Sequence, residues 1–148
     1  METLNKSDII ELVSFRIDNE IYALEINCIR EIIKVSDYTR VPNTPDYIKG
    51  VINLRGKVIP IIDMRKKLNL ETIPYDKNTR IIILEFQSMI VGIIVDSVWE
   101  VLRFDSSVTE QPPTVSKNIS SDFIKAIGKL EDKIINILNL DFLLQKNN

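Results

Sequence analysis

Histidine is absent from this 148-residue chain, and cysteine occurs once, at Cys28. Without histidine the sequence excludes Ser-His-Asp and Cys-His catalytic groups, an imidazole acid or base, and histidine-bearing zinc sites. A single cysteine forms no intramolecular disulfide and no cysteine-rich metal cluster, which is typical of the reducing cytoplasm. We expect Cys28 to be a small buried hydrophobe, since a reactive thiol would need a base or a helix N-terminus beside it.

Glycine is also scarce, and its four residues stand apart, so no glycine-rich phosphate-binding loop is expected. The longest uncharged run, Phe86 to Val95, is about half a membrane span, and no signal-peptide pattern is present. The net charge of −2 argues against a nucleic-acid or anionic-lipid surface. We interpret the one basic run, Arg65 to Lys67, as a solvated helix face. These features predict no nucleic-acid binding and no membrane insertion.

Isoleucine and valine are abundant, at 26 and 11 residues, whereas leucine and alanine together supply 15. Side chains branched at Cβ suit a pleated surface and crowd a helix, so this composition favours strands. With 45% hydrophobic residues the chain is long and apolar enough to bury a core.

The chain contains an internal repeat in two sections. Residues 13–35 match residues 82–104 in their apolar pattern at an offset of 69, with small Ala23 over Gly92. Residues 47–64 match residues 123–140 at an offset of 76, with six of 18 positions identical. The change of offset places seven extra residues within Pro112 to Ser121, where two prolines and several serines predict a loop.

Each copy contains about five strand signals, and we expect small antiparallel barrels because closure removes exposed sheet edges. The predicted strands are Val13 to Ile17, Ile21 to Ile26, Ile29 to Val35, Val51 to Leu54, Val58 to Ile62, Thr79 to Phe86, Met89 to Val95, Val98 to Phe104, Ala126 to Leu130 and Ile134 to Leu138.

Short helices are predicted at three places. Thr44 and Pro45 are typical of the start of a one-turn helix over Asp46 to Lys49, with Gly50 as its stop. A second helix is expected after Asp63 and a third over Asp141 to Lys146. The sequence thus predicts an all-β chain of two barrel subdomains, residues 9–78 and residues 79–148, the second carrying the C-terminal helix.

Carboxylates offer the one route to an enzyme, because Asp63, Asp96 and Glu100 could form a paired acid–base site. Asp63 and Asp96 stand where strands end, however, and capping is the simpler interpretation. We therefore expect no catalytic residues, no cofactor and no metal.

Partner recognition fits the pattern better, because grooves between small domains are common binding places. Ile29 and its counterpart Val98 fit a core or an interface equally well. Trp99 could be an exposed hot spot or could lie buried under the C-terminal helix. Arg55, in a tight turn before Gly56, is either a solvated charge or a planar fork that holds a carboxylate.

The segment from Val41 to Asp63, with VPNTPDYIKGVINLRGKVIPIID, closely resembles the signature of the CheW family of bacterial chemotaxis adaptors. Val91 to Val98 resembles the second block of that family, and Tyr22 to Leu24 with Ile29, Glu31 and Ile32 resembles the first. The resemblance extends from about Glu11 to Leu144, and its middle block is highly specific.

This resemblance implies two intertwined, five-stranded, SH3-like barrels and a non-catalytic adaptor that couples chemoreceptors to the histidine kinase CheA. It implies a cytoplasmic location, at receptor arrays reached through partners. The resemblance also implies a kinase contact in which an end of a barrel of this chain meets a barrel end of the CheW-like domain of the kinase. It assigns no residues to this contact. Gly50 matches a glycine important for partner binding. The implied groove for the cytoplasmic tip of the receptor is formed by Ile29, Glu31, Arg55, Val98 and Val101.

From the length we expect neither the kinase nor a receiver-fused adaptor that shares this fold, since 148 residues leave no room for their other domains. Asp18 and Asn19 depart from the glycine-containing turn common in the family, although both residues tolerate positive φ. The alternative function is a small nucleic-acid-binding barrel, against which the acidic balance argues.

Overall fold

The structure, a computed structural model, describes residues 9–110 and 121–144. The strands are β1 (Ile9–Ile17), β2 (Glu20–Glu25), β3 (Ile29–Lys34), β4 (Ile48–Leu54), β5 (Lys57–Asp63), β6 (Arg80–Phe86), β7 (Met89–Val95), β8 (Ser97–Asp105), β9 (Ile124–Leu130) and β10 (Lys133–Leu138). The α-helices are α1 (Met64–Lys67) and α2 (Leu140–Leu143), and 3-10 turns cover Ile26–Cys28, Ser106–Val108 and Ser121–Phe123. Most of the loop predicted within Pro112 to Ser121 lies outside the described residues.

The strands form two five-stranded sheets. Sheet I has the order β8-β1-β2-β10-β9, and sheet II has the order β3-β6-β7-β5-β4. Neighbouring strands are antiparallel except for one parallel pair in each sheet, β2 with β10 and β5 with β7. The all-β fold class predicted from the sequence is confirmed.

The predicted repeat is visible in the strand register. Ala23 lies opposite Ile137 in the parallel pair of sheet I, and Gly92 lies opposite Ile61 in that of sheet II. These four residues are related by the offsets of 69 and 76 read from the sequence. Small residues therefore occupy matching positions in both copies.

The halves of the repeat exchange their first hairpins. β1 and β2 join β8, β9 and β10, whereas β6 and β7 join β3, β4 and β5. The boundary predicted between residues 78 and 79 therefore falls inside sheet II. Sheet II is built from the continuous stretch 29–95, and sheet I is built from the segments on either side of it.

Each sheet closes into a barrel through an isolated bridge between its end strands. Past β3, Thr39 pairs with Val51 of β4, with N···O distances of 2.9 and 2.8 Å. Past β8, Glu110 pairs with Ile127 of β9, at 2.8 and 2.7 Å. Val51 and Ile127 are again related by the repeat, so both barrels close in the same way.

The one-turn helix predicted over Asp46 to Lys49 is wrong, because β4 begins at Ile48. Ile48 pairs with β5, which takes the backbone into the sheet before a helical turn can form. Gly50 is therefore a buried strand residue and not a helix stop. A Cβ at Gly50 would lie 2.5 Å from the carbonyl oxygen of Thr39, so the bridge that closes sheet II needs a glycine here.

Three apolar clusters fill the molecule. One lies within each barrel, and a larger one lies between the sheets. Successive residues of β6 alternate between them: Ile81 and Ile83 belong to the barrel of sheet II, and Ile82 and Leu84 to the central cluster. This explains why an uninterrupted apolar run forms a strand, since both of its faces are buried.

Helix α1 follows β5 as predicted. Its cap is Asp63, whose carboxylate accepts hydrogen bonds from the backbone N–H groups of Arg65 and Lys66. The solvated face predicted for Arg65 to Lys67 is wrong for two of its residues. The Arg65 side chain is 12% exposed in an ion pair, and Lys67 is buried with its ammonium 3.8 Å from the centre of the Tyr47 ring. Desolvation lowers the pKa of Lys67.

Helix α2 occupies the equivalent place after β10. It begins at Leu140, one residue before the predicted start, because the Asn139 side chain accepts the N–H of Phe142. Asn139 is the repeat counterpart of Asp63, so both helices are capped by the same position. The last two residues of the predicted helix, 145 and 146, lie outside the described chain.

An ion-pair network ties α1 to the β1–β2 turn and to the connection between β7 and β8. Arg65 donates to both carboxylate oxygens of Asp96, at 3.0 and 2.7 Å, and approaches Asp18 at 3.5 Å. The backbone N–H of Asp18 also donates to Asp96, at 2.8 Å. Burial opposes ionisation of Asp96, but these hydrogen bonds outweigh it, and its pKa is lowered. Asp18 adopts φ 60°, the conformation expected of this turn.

Gly50→Ala should destabilise the chain by about 2 kcal/mol, because the added methyl group overpacks against the Thr39 carbonyl. The measurement is the urea midpoint followed by circular dichroism. Gly56→Asn is the matched control: Gly56 has φ 84° and open space around it, and asparagine tolerates that backbone. An unchanged midpoint for Gly50→Ala would show that the closure does not need glycine.

Asp96→Asn should cost about 2 kcal/mol at pH 7, a typical value for hydrogen bonds to a charged group. Because the folded pKa of Asp96 is lowered, its stabilisation is present above about pH 4 and is lost as the pH falls through the folded pKa. The difference in unfolding free energy between wild type and variant should therefore shrink towards pH 3.

The control for Asp96→Asn is Glu11→Gln, which removes an exposed ion pair with Arg103 and should cost less than about 1 kcal/mol. A cost of Asp96→Asn that stays constant between pH 7 and pH 3 would contradict the role given to the carboxylate.

Candidate functional site

An ion pair joins two of the predicted site residues on sheet II. Both terminal nitrogens of Arg55 donate to the carboxylate of Glu31, one of them at 3.1 Å. Glu31 belongs to β3 and Arg55 to the β4–β5 turn, so the pair links the two end strands that meet where the barrel of sheet II closes. Of the two interpretations of Arg55, a fork on a carboxylate is observed, although its side chain remains 71% exposed.

The pair stays charged at neutral pH. Its hydrogen bonds lower the pKa of Glu31 and raise the pKa of Arg55. The conformation of the turn helps to hold the Arg55 side chain in position, because Arg55 and Gly56 have φ values of 53° and 84°, as in the tight turns that join twisted strands. A partner that approaches this turn therefore meets an exposed, preorganised guanidinium.

A bulge shapes β3 beside this pair. The register with β6 shifts between Ile29 and Glu31, so Arg30 is the extra residue. Arg30 turns outward to Glu85 at 2.6 Å, while Ile29 is half-buried against the central cluster. Ile32 is 38% exposed. The edge strand of sheet II thus presents charge and an apolar side chain together.

Strand β8 of sheet I carries the equivalent surface. Val98 is half-buried against the central cluster, as Ile29 is, and Val101 is 53% exposed. Between them the register with β1 shifts, and the buried Ser14 hydroxyl bonds both the N–H and the carbonyl of Glu100. Trp99 is 41% exposed, so it is not buried under the C-terminal helix.

The predicted site residues thus fall into three places. Ile29, Glu31 and Arg55 lie together on sheet II, and Val98 and Val101 lie on the repeat-related strand of sheet I. Gly50 lies at the barrel closure, where it makes room for Thr39.

Two side chains were missed by sequence reasoning. Ile32 could have been found from the repeat, since it is the counterpart of the predicted Val101. Lys133 lies with its ammonium 5.2 Å from the centre of the Trp99 ring, a contact that no sequence pattern indicated.

Two of the three carboxylates considered for catalysis have structural partners. Asp63 caps α1, and Asp96 is paired with Arg65. Cys28 packs against the central cluster but is only partly buried, so it is less buried than predicted, and burial raises the pKa of its thiol. Within the described residues, no helix is long and apolar enough to cross a bilayer.

Comparison with known proteins places this architecture. Residues 11–148 match the family described as CheW-like domain. A chemotaxis protein CheW from Klebsiella aerogenes is 36% identical over 134 residues, which cover 90% of this chain and 81% of that protein. The chemotaxis protein CheW of Bacillus subtilis is also 36% identical, over 92% of this chain and 87% of that protein.

A crystal structure agrees with these relatives. The scaffolding protein TtCheW from Thermoanaerobacter tengcongensis superposes with a TM-score of 0.88 at 39% identity, and the match covers 95% of each chain. With the family match spanning nearly the whole sequence, the chain belongs to the CheW family.

Proposed function

We propose that this chain is a two-sided chemotaxis adaptor that binds the cytoplasmic tip of chemoreceptors on one surface and the histidine kinase CheA on another. Its relatives are named as chemotaxis and scaffolding proteins, which supports an adaptor rather than an enzyme and does not favour the nucleic-acid alternative. The proposal includes a cytoplasmic location at receptor arrays.

The observation that carries the receptor side is the pair of repeat-related strands β3 and β8. Both expose an apolar side chain at the same repeat position, Ile32 and Val101, and β3 adds the Glu31–Arg55 pair. An exposed tryptophan beside them is a frequent hot spot at interfaces. Apolar contacts would supply binding energy, and the charged pair would select orientation.

The adaptor role also follows from rigidity. Three apolar clusters and two closed barrels leave the described strands with fixed relative positions, so the exposed surfaces are held in constant geometry. A rigid body with two docking surfaces transmits a change of receptor geometry to a bound kinase without chemistry of its own.

Arg55→Ala and Val101→Asp should each reduce capture of the chain by chemoreceptor cytoplasmic fragments by about tenfold, because each removes an exposed group of the proposed surface. Val101 is a better target than Val98, which is half-buried in the central cluster. The control is Ile73→Asp, an exposed isoleucine between α1 and β6, outside the strands and the turn of the proposed surface. Native circular dichroism with undiminished capture would remove Arg55 and Val101 from the site.

Kinase control tests the bridge itself. Receptor-containing membranes, CheA and this chain are combined, and phosphorylation of CheA is followed with and without receptor ligand. We expect ligand control of the kinase only when the chain is present and only weakly with Arg55→Ala. Equal control in its absence would contradict the adaptor role.

A further inference from the structure

An open apolar groove lies between sheet II and helix α2. It has a volume of about 250 Å³. Met89, the first residue of β7, is 37% exposed at its edge. The groove is lined by Pro45, Tyr47, Ile48, Pro60, Ile62, Met89, Val91, Leu143 and Leu144.

The groove continues into a polar pocket of about 430 Å³, since Pro45 and Ile48 line both. Three cations, Arg40, Lys49 and Lys66, line this pocket, against one carboxylate, Asp46. Among the described residues, neither Arg40 nor Lys66 has a side-chain ion pair. The local excess of positive charge is notable because the whole chain carries −2.

The internal repeat shows that the fold does not require an apolar groove here. The repeat counterparts of Met89 and Pro60 are Glu20 and Asn136. In that half the Asn136 amide donates to the Ile21 carbonyl at 3.0 Å and approaches Glu20 at 3.5 Å, so the equivalent place is polar and internally bonded. The groove therefore departs from the symmetry of the fold.

Two candidate occupants, the C-terminal residues of this chain and a second copy of it, fit the groove poorly. The last four residues, 145–148, follow directly on Leu144 but are Gln-Lys-Asn-Asn, which offers no apolar side chain and adds a cation. A second copy would have to bring apolar groups together with an excess of carboxylates. The surfaces described above, the Glu31–Arg55 pair and β8, combine apolar groups with charges of both signs or with a lysine–tryptophan contact.

We propose that this groove docks an acidic amphipathic segment of a protein partner, with apolar side chains against Met89 and Tyr47 and carboxylates against Lys66 and Arg40. An apolar slot beside a charged rim is the usual arrangement for such segments, because burial gives affinity and the rim gives direction. This surface is separate from Arg55 and β8, so the proposal stands apart from receptor binding.

The test is a displayed library of random peptides, selected on the immobilised full chain and measured individually by fluorescence polarisation. Met89→Glu imports the residue of the other half into the groove, and Lys66→Glu reverses one charge of the rim. Ile134→Glu is the control, since it places the same charge on an exposed β10 isoleucine of the other half, outside the groove.

We expect the enriched peptides to combine apolar residues with at least two carboxylates. Their affinity should fall about tenfold with Met89→Glu and with Lys66→Glu, weaken with added salt, and stay unchanged with Ile134→Glu. Circular dichroism checks that each variant is folded, and Met89→Gln replaces Met89→Glu if the latter is not. Receptor capture by the groove variants should equal that of the wild type.

Three results would overturn the proposal. The first is a selection in which no peptide depends on the groove or every peptide binds Met89→Glu as tightly as wild type. The second is enrichment of neutral or basic peptides indifferent to Lys66→Glu. The third is sedimentation showing that the wild-type chain self-associates and that Met89→Glu does not, which would make a second copy the occupant.

Discussion

The exchange of hairpins between the two halves governs the rest of this structure. The hairpin β1–β2 and the hairpin β6–β7 each complete a barrel whose other three strands come from the opposite half. Each hairpin is buried on two faces, one towards its barrel and one towards the central cluster. Neither half can therefore close a barrel alone, and the relative position of the two sheets is set by shared apolar packing.

Function in such a duplicated fold is expected where the copies differ in chemistry. Glu31 and Arg55 form an ion pair on sheet II, whereas their counterparts Glu100 and Glu131 are both acidic. The backbone of the two sites is alike, with Arg55 at φ 53° and Glu131 at φ 58°. The fold thus provides the same backbone geometry twice, and different side chains make the two ends of the molecule chemically distinct.

The strands were predictable from the sequence because alternation and β-branched runs act locally. Met89 to Val95 was predicted with its observed bounds. The helix predicted over Asp46 to Lys49 was wrong because the capping signals of Thr44 and Pro45 compete with pairing to β5, the other strand of the same hairpin. The exchange of hairpins could not be predicted from periodicity either, because either pairing of the two copies would bury the same residues.

The candidate site was predictable to a similar degree. The resemblance supplied Glu31 and Arg55, and the contact between them needed the turn geometry. The inward or outward positions of Trp99 and Glu100 could not be predicted from alternation, because the bulge of β8 breaks the alternation at these residues. Arg65 was misjudged because its partner Asp96 lies 31 residues away in the chain.

The nesting of one barrel inside the sequence of the other has a consequence for synthesis. All the strands of sheet II lie within residues 29–95, so this barrel can close while the remainder of the chain is still being made. Sheet I pairs Ile21 with Ile135, so it cannot be completed until the C-terminal segment has been made. During translation, the apolar hairpin β1–β2 is therefore the part of the chain that stays longest without its final neighbours.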